Sequence, residues 1–160
     1  MAARKPLVLN SGQIEQLQSG DTLNAIVSGG DNFNLENTQG SAIGRCFVVY
    51  SGGGTGQIKL ARANASGTAK AIGLVNEDSI ANGSTGNIML AGVMTPAGTA
   101  FWDDATGGSG GLTPNAVYYL SEATAGMMTT TPPTTGWVQK IGIALTDIDF
   151  WINIEPAIKL

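Results

Sequence analysis

An all-β fold, a small β-barrel or β-sandwich built from two similar β units and preceded by an extended N-terminal arm, is what this sequence predicts. Three observations carry the prediction. Only 12% of the residues are charged, against about 25% in an average soluble domain, and glycine supplies 23 of the 160. Short apolar runs alternate with Gly, Asn, Ser and Thr punctuation, the pattern of strands joined by tight turns. The second half of the chain also repeats landmarks of the first at an offset of 69. With 42% hydrophobic residues, the length suits one domain with a core of its own.

Residues 1–42 read as the arm. Its apolar clusters, Leu7-Val8-Leu9, Ile14 with Leu17, and Ile26-Val27, are separated by polar and glycine stretches. Ser11 is placed to cap one helical turn through Ile14 and Leu17, too short to stand alone in water. Ordering each residue costs roughly 1–2 kcal/mol, so such an arm is fixed only where its clusters are buried on something else.

Residues 43–160 read as the β domain. The first repeat spans about 46–95. Cys46-Phe47-Val48-Val49-Tyr50 is an apolar strand, and a single cysteine there is read as a small buried hydrophobe. GGGTGQIK (52–59) reads as a hairpin turn, followed by Ile58 and Leu60 alternating with Gln57, Lys59 and Ala61. NGSTGNIMLAGVM (82–94) reads as a further hairpin with Ile88, Leu90 and Gly92 on one face. Residues 96–114 form a connecting loop in which Phe101 and Trp102 either pin the segment or present a ligand platform.

The second repeat spans about 115–156. Tyr119 answers Tyr50, Gly136 answers Gly67, Ile141 and Gly142 answer Ile72 and Gly73, and Asp147 answers Asp78. Ile141, Ile143 and Leu145 are expected on one strand face. Gly142 and Ala144 take the other, where glycine permits close approach of a neighbouring backbone. Phe150, Ile152 and Ile154 alternate with Trp151, Asn153 and Glu155 in a closing strand. TTTPPTTG aligns with LARANASG, and its prolines force an edge or loop position after Thr131. In total about eight strands are expected.

The missing residue types narrow the chemistry. With no histidine, Ser-His-Asp and Cys-His catalysis and histidine-ligated zinc are excluded, and one cysteine excludes thiolate cages. Gly56-Gln57-Ile58 stands where a phosphate-cradling loop needs Gly-Lys-Ser/Thr. Glu77-Asp78, Asp103-Asp104 and the Asp147/Asp149 pair have turn spacing rather than the facing geometry of a carboxylate dyad. No enzyme, cofactor or metal site is expected. A net charge of −4 with eight scattered basic residues argues against nucleic acid as a partner. Neither a secretion signal nor a run of roughly 20 apolar residues is present, so neither export nor a membrane partner is expected.

The opening KPLVLNSGQIEQLQSGDTL resembles the N-terminal stretch of tailed-bacteriophage virion proteins found in head decoration proteins and fibres. YYLS, GMMTTTPPTTGWVQKIGIALTDIDFWINI and EPAIKL resemble the β-rich domain of phage capsid decoration (cement) and head-fibre proteins. The resemblance implies a homotrimer made in the host cytoplasm and carried on the capsid exterior. It would be seated where capsomers meet, with the major capsid protein as partner and its arms reaching neighbouring subunits. Arg4, Lys5, Leu7, Val8 and Leu9 are then the expected capsid contacts. The alternative is a head- or tail-fibre attachment module binding a host surface glycan, with Trp102, Asp103 and Asp104, or Trp137, as the sugar platform.

Overall fold

The computed structural model describes the backbone of residues 7–10 and 13–16 and the whole of residues 31–160. Along the chain lie β1 Leu7–Asn10, β2 Gln13–Gln16, β3 Asn32–Asn37, β4 Ile43–Gly44, β5 Val48–Ser51, β6 Gln57–Leu60, β7 Ala71–Val75, β8 Ser79–Ile80, β9 Thr85–Met89 and β10 Gly92–Met94. They are followed by α1 Ala100–Thr106, β11 Val117–Leu120, β12 Met128–Thr129, β13 Trp137–Val138, β14 Lys140–Ala144, β15 Phe150–Ile152 and β16 Ile158–Lys159. The fold is all-β with one short helix. Strands β3-β6-β5-β7-β9 close a barrel, in which β3 runs parallel to β6 and antiparallel to β9. A second five-stranded sheet, in the order β10-β15-β14-β11-β12, stays open.

The offset of 69 holds at the level of strand register. Val48, Val49 and Tyr50 face Leu74, Gly73 and Ala71 across β5 and β7. Val117, Tyr118 and Tyr119 face Ile143, Gly142 and Lys140 across β11 and β14. Both ladders skip one residue at the same place, Ile72 in the first and Ile141 in the second. The Cys46 N–H donates to the Val75 carbonyl at 2.9 Å, and its counterpart Asn115 donates to Ala144 at 2.8 Å. Among the described non-glycine residues these two have positive φ, 68° and 63°, so the units share even a disfavoured backbone angle.

Both repeat glycines are there for close approach. A Cβ on Gly73 would lie 2.5 Å from the Met89 carbonyl oxygen in β9, and one on Gly142 would strike the Trp151 carbonyl oxygen in β15. Hydrogen-bonded strands cannot move apart to admit that methyl without losing their ladder.

The two units pack back to front. Inside the barrel, Val49, Ile58, Val75 and Ile88 form a small core with Ile43 and Ile80 from the β4-β8 pair. On its convex side, Val48, Leu74 and Met89 join Tyr118, Leu120, Ile141, Ala144, Phe150 and Ile152 in a larger cluster shared by both units. The concave side of the open sheet is therefore filled by the convex side of the barrel. Gln139, 3% exposed, stitches the seam: its side-chain oxygen accepts from the Ala71 N–H at 2.9 Å, and its amide donates to the Ala71 and Glu155 carbonyls.

Several expectations change. β3 lies within the stretch read as an arm, yet it closes the barrel, so residues 32–42 belong to the domain. Instead of a helical turn at Ile14, β2 pairs antiparallel with β1. Residues 96–114 hold α1, which ends where Gly107 adopts φ 70° and its N–H donates to the Asp103 carbonyl. β9 and β10 do not form a hairpin. Gly92, at φ 107°, turns the chain out of the barrel, and β10 pairs with β15. Ile141 faces the core while Leu145 is 46% exposed, because the skipped residue breaks the period-two alternation. The hairpin at 52–59 is as expected, and Pro132 and Pro133 lie in the loop that follows the edge strand β12, one of the two positions expected.

Gly73→Ala and Gly142→Ala are each expected to lose about 1–3 kcal/mol of stability through forced overpacking. Gly67→Ala, where a Cβ meets nothing within 4 Å, is expected to stay within about 0.5 kcal/mol of the parent. Urea unfolding of the three variants measures the difference.

Candidate interaction surfaces

The side chains suited to chemistry are mostly engaged in holding the fold. Trp102 lies on the inward face of α1 with Ala105, one turn apart, and is 0% exposed. Its indole N–H donates to the Ile148 carbonyl at 2.8 Å, and its ring centroid lies 5.3 Å from that of Phe150. A ring covered on both faces cannot stack on a sugar, so Trp102 is not a glycan platform but the pin that fastens α1 to the second sheet. Asp103 accepts from the Gly111 N–H at 2.7 Å and shapes the turn beyond the helix. Asp104 is exposed. Trp137 is half-buried in β13, which pairs with β16, and its backbone N–H donates to Ala63 at 3.1 Å.

The other carboxylates have comparable duties. Asp78 pairs with Arg45 at 3.0 Å, and the Arg45 guanidinium lies 5.5 Å from the Phe101 ring, linking α1 to the barrel. Glu77 accepts from the Asn87 N–H, and Asp149 accepts from Thr95 and Thr146 in the β14–β15 turn. Among the described residues, no group of three or more His, Cys, Asp or Glu is placed to hold a metal ion.

Cys46 is fully buried, its sulfur 3.8 Å from that of Met94. Burial away from water raises its thiol pKa far above the ordinary range, despite the opposing field of Arg45. The thiol is therefore held protonated and inert, matching its reading as a small core hydrophobe.

Of the expected capsid contacts, Arg4 and Lys5 lie outside the described residues. Leu7, Val8 and Leu9 belong to β1, where they pair with Gln16, Glu15 and Ile14, and their side chains lie outside the described set.

Two surfaces not anticipated from the sequence stand out. A shallow groove of about 400 Å³ lies between Ser121, Glu122 and Ala123 on one side and Thr129, Thr131, Pro132, Pro133 and Thr134 on the other. The second is apolar. Val93, Trp151, Ile143 and Val117 are direct cross-strand neighbours over β10, β15, β14 and β11, a row on the convex side of the open sheet. Val93 is 41% exposed and Trp151 43% exposed. The signal for this row was available: Trp151 occupies the outward position of a strand whose inward positions, Phe150 and Ile152, are already apolar. A half-solvated strand has no need of that pattern.

Trp102→Ala is expected to cost about 3–5 kcal/mol by emptying a core site. Asp104→Ala should stay within about 0.5 kcal/mol, a contrast that thermal unfolding can read. Cys46 should resist a maleimide at pH 8 in the native protein and react fully in urea. Compared with protein-family models, curated proteins and solved structures, the chain matches none.

Proposed function

We propose that this chain is a structural virion protein, a capsid decoration (cement) protein that binds the outer surface of a tailed-phage head as a homotrimer and stabilises contacts between capsomers. The observation that supports this reading best is how the side chains are used. Aromatic and acidic groups able to do chemistry are largely committed to packing and turns, while a broad apolar face is left at the surface. That allocation suits a protein whose work is contact. The resemblance of KPLVLNSGQIEQLQSGDTL to virion N-terminal segments supplies the location, and the β1-β2 pair supplies an element needing a partner surface, since a lone two-stranded hairpin is marginal in water. Three such segments on one trimer bind multivalently, so modest individual contacts add up to firm attachment on a symmetric lattice. The major capsid protein is the partner in this reading, and the host cytoplasm is where the chain is made. Burial of Trp102 removes one of the two sugar platforms of the fibre-module reading and leaves it only the half-buried Trp137.

Purified protein mixed with undecorated heads should bind and raise the temperature at which the heads release their genome. Val8→Asp should lower occupancy about tenfold or more, because each weakened arm subtracts from the combined attachment. Absence of binding, or binding with no gain in head stability, overturns the proposal.

A further inference from the structure

The internal duplication shows what the convex face of one unit packs against. Val48, Leu74 and Met89 of the barrel correspond in register to Val117, Ile143 and Trp151 of the open sheet. The barrel residues are 0%, 0% and 3% exposed because the second sheet covers them. Their counterparts occupy the same face of the same fold without that cover, and Val93 in β10 extends the row by one strand. Leu145, two residues beyond Ile143, is also 46% exposed.

We infer that this face, Val93-Trp151-Ile143-Val117, is where copies of this chain associate with one another. Two observations select a second copy as occupant. The first is the duplication itself: the only described cover for this kind of face is a β-sheet of this same chain. Both concave surfaces of a second copy are already filled, one by barrel closure and one by the barrel's convex side, so a second copy presents the same apolar row. The second is charge. None of the row residues is ionisable, and Lys140, farther along β14, is neutralised by Glu155 at 2.6 Å. A chain of net charge −4 meets its like most cheaply through such a neutral patch. A tryptophan ringed by aliphatic side chains is also the composition that concentrates binding energy at interface centres. The inference specifies the subunit contact of the trimer proposed above and rests on that reading only for the number three.

The test uses the free full-length chain, so a failure to bind heads leaves it standing. Sedimentation should show association of the parent protein that increases with concentration. Trp151→Lys should remain monomeric throughout, as should Val93→Glu, which guards against a folding defect in either variant. Phe33→Lys, at a 62% exposed position on β3, should associate like the parent. In Val93→Cys the new thiol is the reporter, because Cys46 is buried. Its maleimide labelling should slow at least tenfold between dilute and concentrated protein. A parent protein that stays monomeric, assembly that survives both row substitutions, or equal loss in Phe33→Lys overturns the inference. Labelling that is slow at every concentration also overturns it, by assigning the face to the chain's own N-terminal segment. Labelling that is fast at every concentration overturns it by showing the face bare.

Discussion

Val48, Leu74 and Met89 on the convex side of the barrel share one cluster with Tyr118, Ile141 and Phe150 on the concave side of the open sheet, and the remaining architecture depends on that contact. An open five-stranded sheet has two faces to satisfy, and a closed barrel has one interior and one exterior. Seating the barrel in the hollow of the sheet settles one surface of each at once. It also explains why Gln139 is buried: at the seam its amide takes the place of a strand backbone for Ala71. Trp102 adds a third layer, because α1 reaches the same cluster from the side and pins the connection between units.

The units differ where their β-hairpins differ. Between β7 and β9 the chain makes a long excursion that carries β8, and Ile80 packs against Gly86, where a Cβ would lie 2.5 Å away. Asn37, fully buried, donates to the Ile80 and Ser41 carbonyls and ties β3 to that excursion. Between β14 and β15 only the short Thr146–Asp149 turn remains, held by Asp149 accepting from Thr146. The barrel closes because β3 bonds to both β9 and β6, whereas β10 pairs with β15 but not with β12, and the second sheet stays open.

Much of this was legible in the sequence, for a physical reason in each case. The repeat was visible because Gly73 and Gly142 are fixed by backbone crowding, which leaves no choice of residue. The loop position of Pro132 and Pro133 followed from the missing proline N–H. What escaped depends on partners distant in the chain. The bulge at Ile141 is defined by the strand opposite, so period-two reasoning grouped it with Ile143 and Leu145, which lie on the other face. α1 was hidden by its brevity and by glycines on both sides. Trp102 and Trp151 are the same residue type with opposite fates, one sealed against Phe150 and one left outside. Only the arrangement of strands tells them apart.

Joining two such units in one chain has a consequence for dilution. Within the molecule the facing surfaces are held at an effective concentration set by the connecting segment, so their contact persists however few molecules are present. The convex face of the open sheet enjoys no such tether to a second copy. Contacts made there vary with the number of molecules nearby, or with a lattice that holds them side by side. The same geometry therefore yields one permanent joint and one conditional joint.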